Sequence, residues 1–141
     1  MLLRFLKTEG DDAKVRKEGQ NSGIDNLSPR YIRPKPASDV KLSAEFIDFL
    51  DWCKDEWLRG KAQTAFSELK ADRELGEKVT KDRFPKYYRK TWNPDNLYVH
   101  KLGPDWRMTY TIVYDGAGLS VFCLEILTHK EYDKRFGYKT T

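Results

Sequence analysis

The chain has 141 residues, enough for one domain with a substantial core, and a formal net charge of +4 with a pI near 9.0. Hydrophobic residues make up 39% and charged residues 34%, so part of the sequence is too polar to pack. No apolar run approaches the ~18 residues of a membrane-spanning helix. Cys53 and Cys123 lack metal-ligand spacing, which argues against structural zinc and fits a reducing, cytoplasmic setting.

Residues 1–38 are rich in Lys, Glu, Asp, Gly, Ser and Pro. They carry too few large apolar side chains to offset their own ordering entropy. They read as a flexible N-terminal extension that ends in the stiff Arg33-Pro34-Lys35-Pro36 segment. The folded domain is expected from Asp39 to the end of the chain.

Val40 to Leu42 reads as a short strand. Ser43 is a good N-cap, and Phe46, Phe49, Leu50, Cys53 and Trp57 follow at spacings of three or four. That stripe predicts a helix to about Arg59, closed by Gly60. A second helix is expected from about Ala62 to Val79, antiparallel to the first. Residues 82–96 form an aromatic connector.

Three strands then follow. They are Leu97 to Leu102, Trp106 to Tyr114 and Leu119 to Thr128, with Gly103-Pro104-Asp105 and Asp115-Gly116-Ala117-Gly118 as the turns. Lys130 to Phe136 suits a short closing helix. Strict alternation puts Met108, Tyr110, Ile112, Phe122, Leu124 and Ile126 on one sheet face. Arg107, Thr109, Thr111, Cys123, Glu125 and His129 fall on the other. A helical hairpin covering one face would leave a polar face open.

This order of elements resembles the RelE/ParE superfamily of toxins from type II toxin–antitoxin systems. The match is carried by Arg107-Met108-Thr109-Tyr110 and by Thr128-His129-Lys130. His100, Asp105-Trp106 and Thr128-His129 are similar to the YafQ-type branch of mRNA interferases. The resemblance implies an α+β, RelE-like fold: a helical hairpin on one face of a small antiparallel sheet, with a short C-terminal helix. It implies a ribosome-associated endoribonuclease that cuts mRNA by attack of a ribose 2′-hydroxyl, without metal or cofactor. It also implies an antitoxin protein as partner.

Under that reading His129 is the leading acid–base residue, because histidine titrates near neutral pH. Its alternative is a helix-capping role. His100 is a second candidate, or a satisfied core histidine. Arg107 suits a phosphate clamp, or an ion pair with Glu125. Tyr132 could stack on a base or donate a proton. Lys101 and Lys130 are supporting cations. Arg89 and Lys90 belong to a cation–aromatic run, Lys86 to Trp92, of the composition that binds single-stranded RNA. Two other readings stay open: a ParE-like toxin directed at DNA gyrase, and a non-catalytic RNA- or protein-binding module.

Overall fold

The computed structural model describes residues 33–138. The greater part of the expected extension, residues 1–32, lies outside them. Its last residues do not behave as a tail. Ala37 is buried, its N–H donates to Lys70 O at 2.9 Å, and Ser38 N–H donates to Leu119 O at 2.8 Å. Arg73 Nη1 donates to Pro36 O at 2.8 Å. The ordered body therefore begins several residues before Asp39.

Strand β1 (Val40–Leu42) leads to helix α1 (Ala44–Trp52) and helix α2 (Glu56–Ala71). Ser43 caps α1: its Oγ accepts from Phe46 N–H at 3.0 Å and donates to Leu124 O at 2.7 Å. The expected stop at Gly60 is corrected. The chain breaks at residues 53–55, where the Asp55 carboxylate accepts from Leu58 N–H at 3.2 Å and starts α2. The Arg59 guanidinium donates to the carbonyls of Leu50 and Cys53, at the end of α1. Gly60 sits inside α2 with open space where a Cβ would project.

The second helix also stops short of Val79. A turn carries Gly76 past the sheet into strand β2 (Glu77–Lys78). A Cβ on Gly76 would lie 2.8 Å from Val99 O and 2.9 Å from the Tyr110 ring, so only glycine fits there. The connector folds as a 3-10 turn (Lys81–Arg83) and a short helix α3 (Lys86–Thr91). Strands β3 (Tyr98–Lys101), β4 (Trp106–Tyr114) and β5 (Leu119–Thr128), then helix α4 (His129–Phe136), complete the α+β chain. The sheet order is β1-β5-β4-β3-β2. It is mixed rather than purely antiparallel, because β1 runs parallel to β5.

A β-bulge overturns the predicted face assignment. Thr109 pairs with Glu125, but Tyr110 pairs with Cys123, so Leu124 is the extra residue. Thr109 Oγ1 accepts the Glu125 N–H at 3.2 Å. Cys123 and Val121 consequently join Met108, Tyr110 and Ile126 against α1 and α2. Phe122 and Leu124 turn to the opposite face. That face is not open. Tyr88, Phe84, Leu97, Val99 and Phe136 form a second core there, beneath α3 and α4.

Within the second core a partly buried polar network replaces hydrocarbon. Glu125 takes a bidentate pair from Arg135 at 3.1 and 2.8 Å, and a hydrogen bond from Tyr88 Oη at 2.6 Å. Tyr88 Oη also meets Thr109 Oγ1 at 2.9 Å. Arg135 lies 4.3 Å from the Tyr87 ring centroid. This network ties α4 to the sheet and so fixes what α4 carries.

Candidate functional site

The β3–β4 turn and the start of α4 meet at one end of the sheet. The backbone N–H of His129 donates to Asp105 O at 2.7 Å. Thr128 and Glu131 close a capping box, Oγ1 accepting from Glu131 N–H at 3.0 Å and Oε1 accepting from Thr128 N–H at 2.9 Å. The first turn of α4 is thereby locked beside Trp106, the register partner of Thr128.

His129 is half-exposed, with a side-chain accessibility of 52%. Its Nδ1 lies 3.2 Å from Asp133 Oδ2, one turn further along the helix, and Asp133 is buried. The Asp133 carboxylate lies on the Nδ1 side of the imidazole, so Nε2 is the ring nitrogen left to face a ligand. This pairing uses the i, i+4 geometry of a helix. Its signal, His129-x-x-x-Asp133, stands in the sequence but went unused, since aspartate on an exposed-looking helix has many ordinary roles.

Tyr132 follows on the same helix. Its ring centroid is 4.6 Å from that of Phe136 and 5.6 Å from that of Tyr138. Burial, then the neighbouring Tyr138, push its phenol well above the ordinary value, while Arg107 acts in the opposite direction. Tyr132 is therefore a proton-bearing group at neutral pH, within the electrostatic reach of Arg107.

Arg107 is only 8% exposed. Its Nη1 donates to the carbonyls of Trp106 (3.0 Å), Pro104 (3.3 Å) and Gly103 (3.4 Å). The expected partner, Glu125, is instead engaged by Arg135. Arg107 thus knits the β3–β4 turn and supplies positive charge from beneath it. Gly103 has φ +114°, and a Cβ there would meet the Trp57 ring at 2.9 Å. Lys101, the register partner of Arg107, is exposed. Lys130 is exposed next to His129.

His100 does not join this group. It pairs with Met108 and so shares the α1–α2 face, where Nε2 lies 3.4 Å from Glu68 Oε1. The sheet separates it from Arg107. Arg89 is likewise occupied. Its Nε donates to Phe84 O at 3.3 Å, Nη2 donates to Lys81 O, and its guanidinium lies 5.7 Å from the Phe84 ring centroid. It braces the 3-10 turn rather than a ligand. Lys90 is exposed on α3.

The structure places His129, Tyr132 and Asp133 on one helix, sets Arg107 within electrostatic reach of Tyr132, and pairs Lys101 with Arg107 across the strands. Those groups can accept a proton, donate a proton and neutralise an anion. Among the described residues no three His, Cys, Asp or Glu side chains cluster as metal ligands would. No helix among them is long and apolar enough to cross a membrane. No family model, curated protein or solved structure matches the chain.

Proposed function

We propose that this chain is a metal-independent endoribonuclease of RelE-like fold that cuts mRNA on the ribosome as the toxin of a toxin–antitoxin pair. The observation that carries the chemistry is the His129–Asp133 pair, next along α4 to the proton-bearing Tyr132, which lies in the field of Arg107. The ribosome and the antitoxin rest on the sequence resemblance.

In the reaction, Nε2 of His129 takes the proton from a ribose 2′-hydroxyl. The 2′-oxygen forms a bond to the adjacent phosphorus and the P–O5′ bond breaks. Tyr132 gives its proton to O5′. The products are a 2′,3′-cyclic phosphate and a 5′-hydroxyl, and solvent returns the proton from His129 to Tyr132. Lys101, exposed to solvent, meets the phosphate, and buried Arg107 contributes its field. Asp133 stabilises the imidazolium that forms.

The burial of Arg107 and its engagement with its own turn favour a second reading, a non-catalytic RNA-binding module. The test is induced expression of the wild-type chain and of His129→Ala, with mRNA 5′ ends mapped within minutes. The wild type should create new 5′ ends, and His129→Ala should reduce them by about 10²- to 10⁴-fold. Unchanged cutting by His129→Ala would overturn the assignment. Arrest with intact mRNA and altered plasmid supercoiling would transfer the protein to the gyrase-directed class.

A further inference from the structure

The closing segment Phe136-Gly137-Tyr138 does more than end the fold. Gly137 adopts φ +75° and stops α4, with its N–H bonded at the Asp133 and Lys134 carbonyls. The reversal lays Tyr138 back beside the helix. Its ring centroid is 5.6 Å from that of Tyr132 and 5.9 Å from that of Phe136. Phe136 is buried, whereas Tyr132 and Tyr138 are partly exposed, so the rings make a platform with a solvent-facing margin.

Arg83 reaches this margin from the 3-10 turn. Its guanidinium carbon is 5.4 Å from the Tyr138 ring centroid, and the residue is exposed. Tyr132 also feels Arg107 and, on edge strand β2, Glu77. Two guanidinium groups therefore bear on the Tyr132–Tyr138 pair, against the carboxylate of Glu77 and, beside Arg83 itself, that of Asp82. An exposed arginine beside partly open aromatic rings suits a nucleotide, whose base offers a π-face and whose phosphate offers oxygens for a planar fork.

We infer that Arg83 and Tyr138, together with Tyr132, form a subsite for the nucleotide flanking the cleaved bond in single-stranded RNA. The base stacks against the tyrosine pair and Arg83 takes its phosphate. This inference rests on the RNA-cleavage reading for its substrate class. Tyr132 links the two, because it belongs to both the platform and the reacting group.

The test uses the full chain carrying His129→Ala, so that RNA survives, and a fluorescent single-stranded RNA dodecamer read by anisotropy. Adding Tyr138→Leu should weaken binding about tenfold, while Tyr138→Phe, which keeps the ring, should bind as tightly as the parent. Arg83→Gln, at a surface position that leaves the fold intact, should weaken binding and lower the slope of log affinity against log salt by about 0.7. Single-stranded DNA of the same sequence should bind more weakly. Unchanged affinity in both Tyr138→Leu and Arg83→Gln would overturn the subsite, even if the wild type cuts mRNA. Subsite-dependent binding in a chain whose wild type cuts nothing would uphold the subsite and sink the cleavage reading alone.

Discussion

On the hairpin side of the sheet the buried side chains are nearly all hydrocarbon or aromatic: Phe46, Leu58, Phe66, Leu69, Met108 and Val121, with the Tyr98 and Tyr110 rings stacked 5.2 Å apart. On the other side, Glu125, Arg135, Tyr88 and Thr109 bond one another under a roof of aromatic rings. The first core is held by non-directional burial, so what it demands is volume and close packing rather than particular partners. The second demands one geometry, because each buried polar group costs stability when its partner is missing. The candidate site hangs from the second. His129, Tyr132 and Asp133 ride on α4, and Arg135 anchors α4 to Glu125.

The sharpest way to break this contrast is to damage each side and try to repair it. Phe66→Ala should cost about 4 kcal/mol through the cavity it leaves. Glu125→Leu should cost about 2 kcal/mol, because buried Tyr88 and the partly exposed Arg135 lose their shared partner. Adding Arg135→Leu should recover much of that loss, since an apolar pair replaces the ionic one. Urea unfolding of the single and double variants measures this. If the double variant is no better than Glu125→Leu alone, the second core is not organised around this pair.

Alkali gives a smaller, graded comparison. Burial is the largest cause raising the phenols of Tyr88 and Tyr110 far above 10, and the Glu125 charge adds to it only at Tyr88. A folded-state value above the unfolded one means the folded chain holds the proton more tightly. The resulting stability is complete below about pH 10 and is lost as pH rises toward the folded values. Tyrosinate absorbance should therefore show these phenols ionising only as the chain unfolds. In Glu125→Leu both phenols should ionise at lower pH, because that chain unfolds earlier, and Tyr88 also loses the carboxylate that raises it. Early, reversible ionisation of both in the wild type would contradict their burial.

The smallest expected effect has the opposite sign. Gly60 lies in the exposed interior of α2 with room for a methyl group. Gly60→Ala should stabilise the chain by about 0.5–1 kcal/mol in thermal unfolding. A loss instead would show that the helix needs a local bend there.

Strands β4 and β5 were legible to the residue, because alternating apolar side chains and the Asp115–Gly118 turn act through neighbours in sequence. The Ser43 cap and the Phe46–Leu50 stripe were equally local. The stop at residues 53–55 was missed because glycine is a stronger textual stop signal than Asp55. Asp55 prevails because its carboxylate accepts the Leu58 N–H and Arg59 ties off the preceding helix. At the site, His129, Tyr132 and Arg107 were named from their chemistry. Arg83 and Tyr138 gave no usable signal of their meeting, since 55 residues of numbering (138 − 83) separate them and only the chain reversal at Gly137 brings them together.

The sequence by itself determined the α+β composition, the hairpin, the three-strand meander and the acid–base and cationic residue types, because periodicity and turn chemistry are short-range. Only the tertiary structure decided which side each residue serves. The bulge at Leu124 reverses strand parity, the sheet places His100 opposite Arg107, and α3 covers the face that alternation left open. Those outcomes depend on pairing between segments far apart in the chain, where one extra residue in one strand redirects every side chain beyond it.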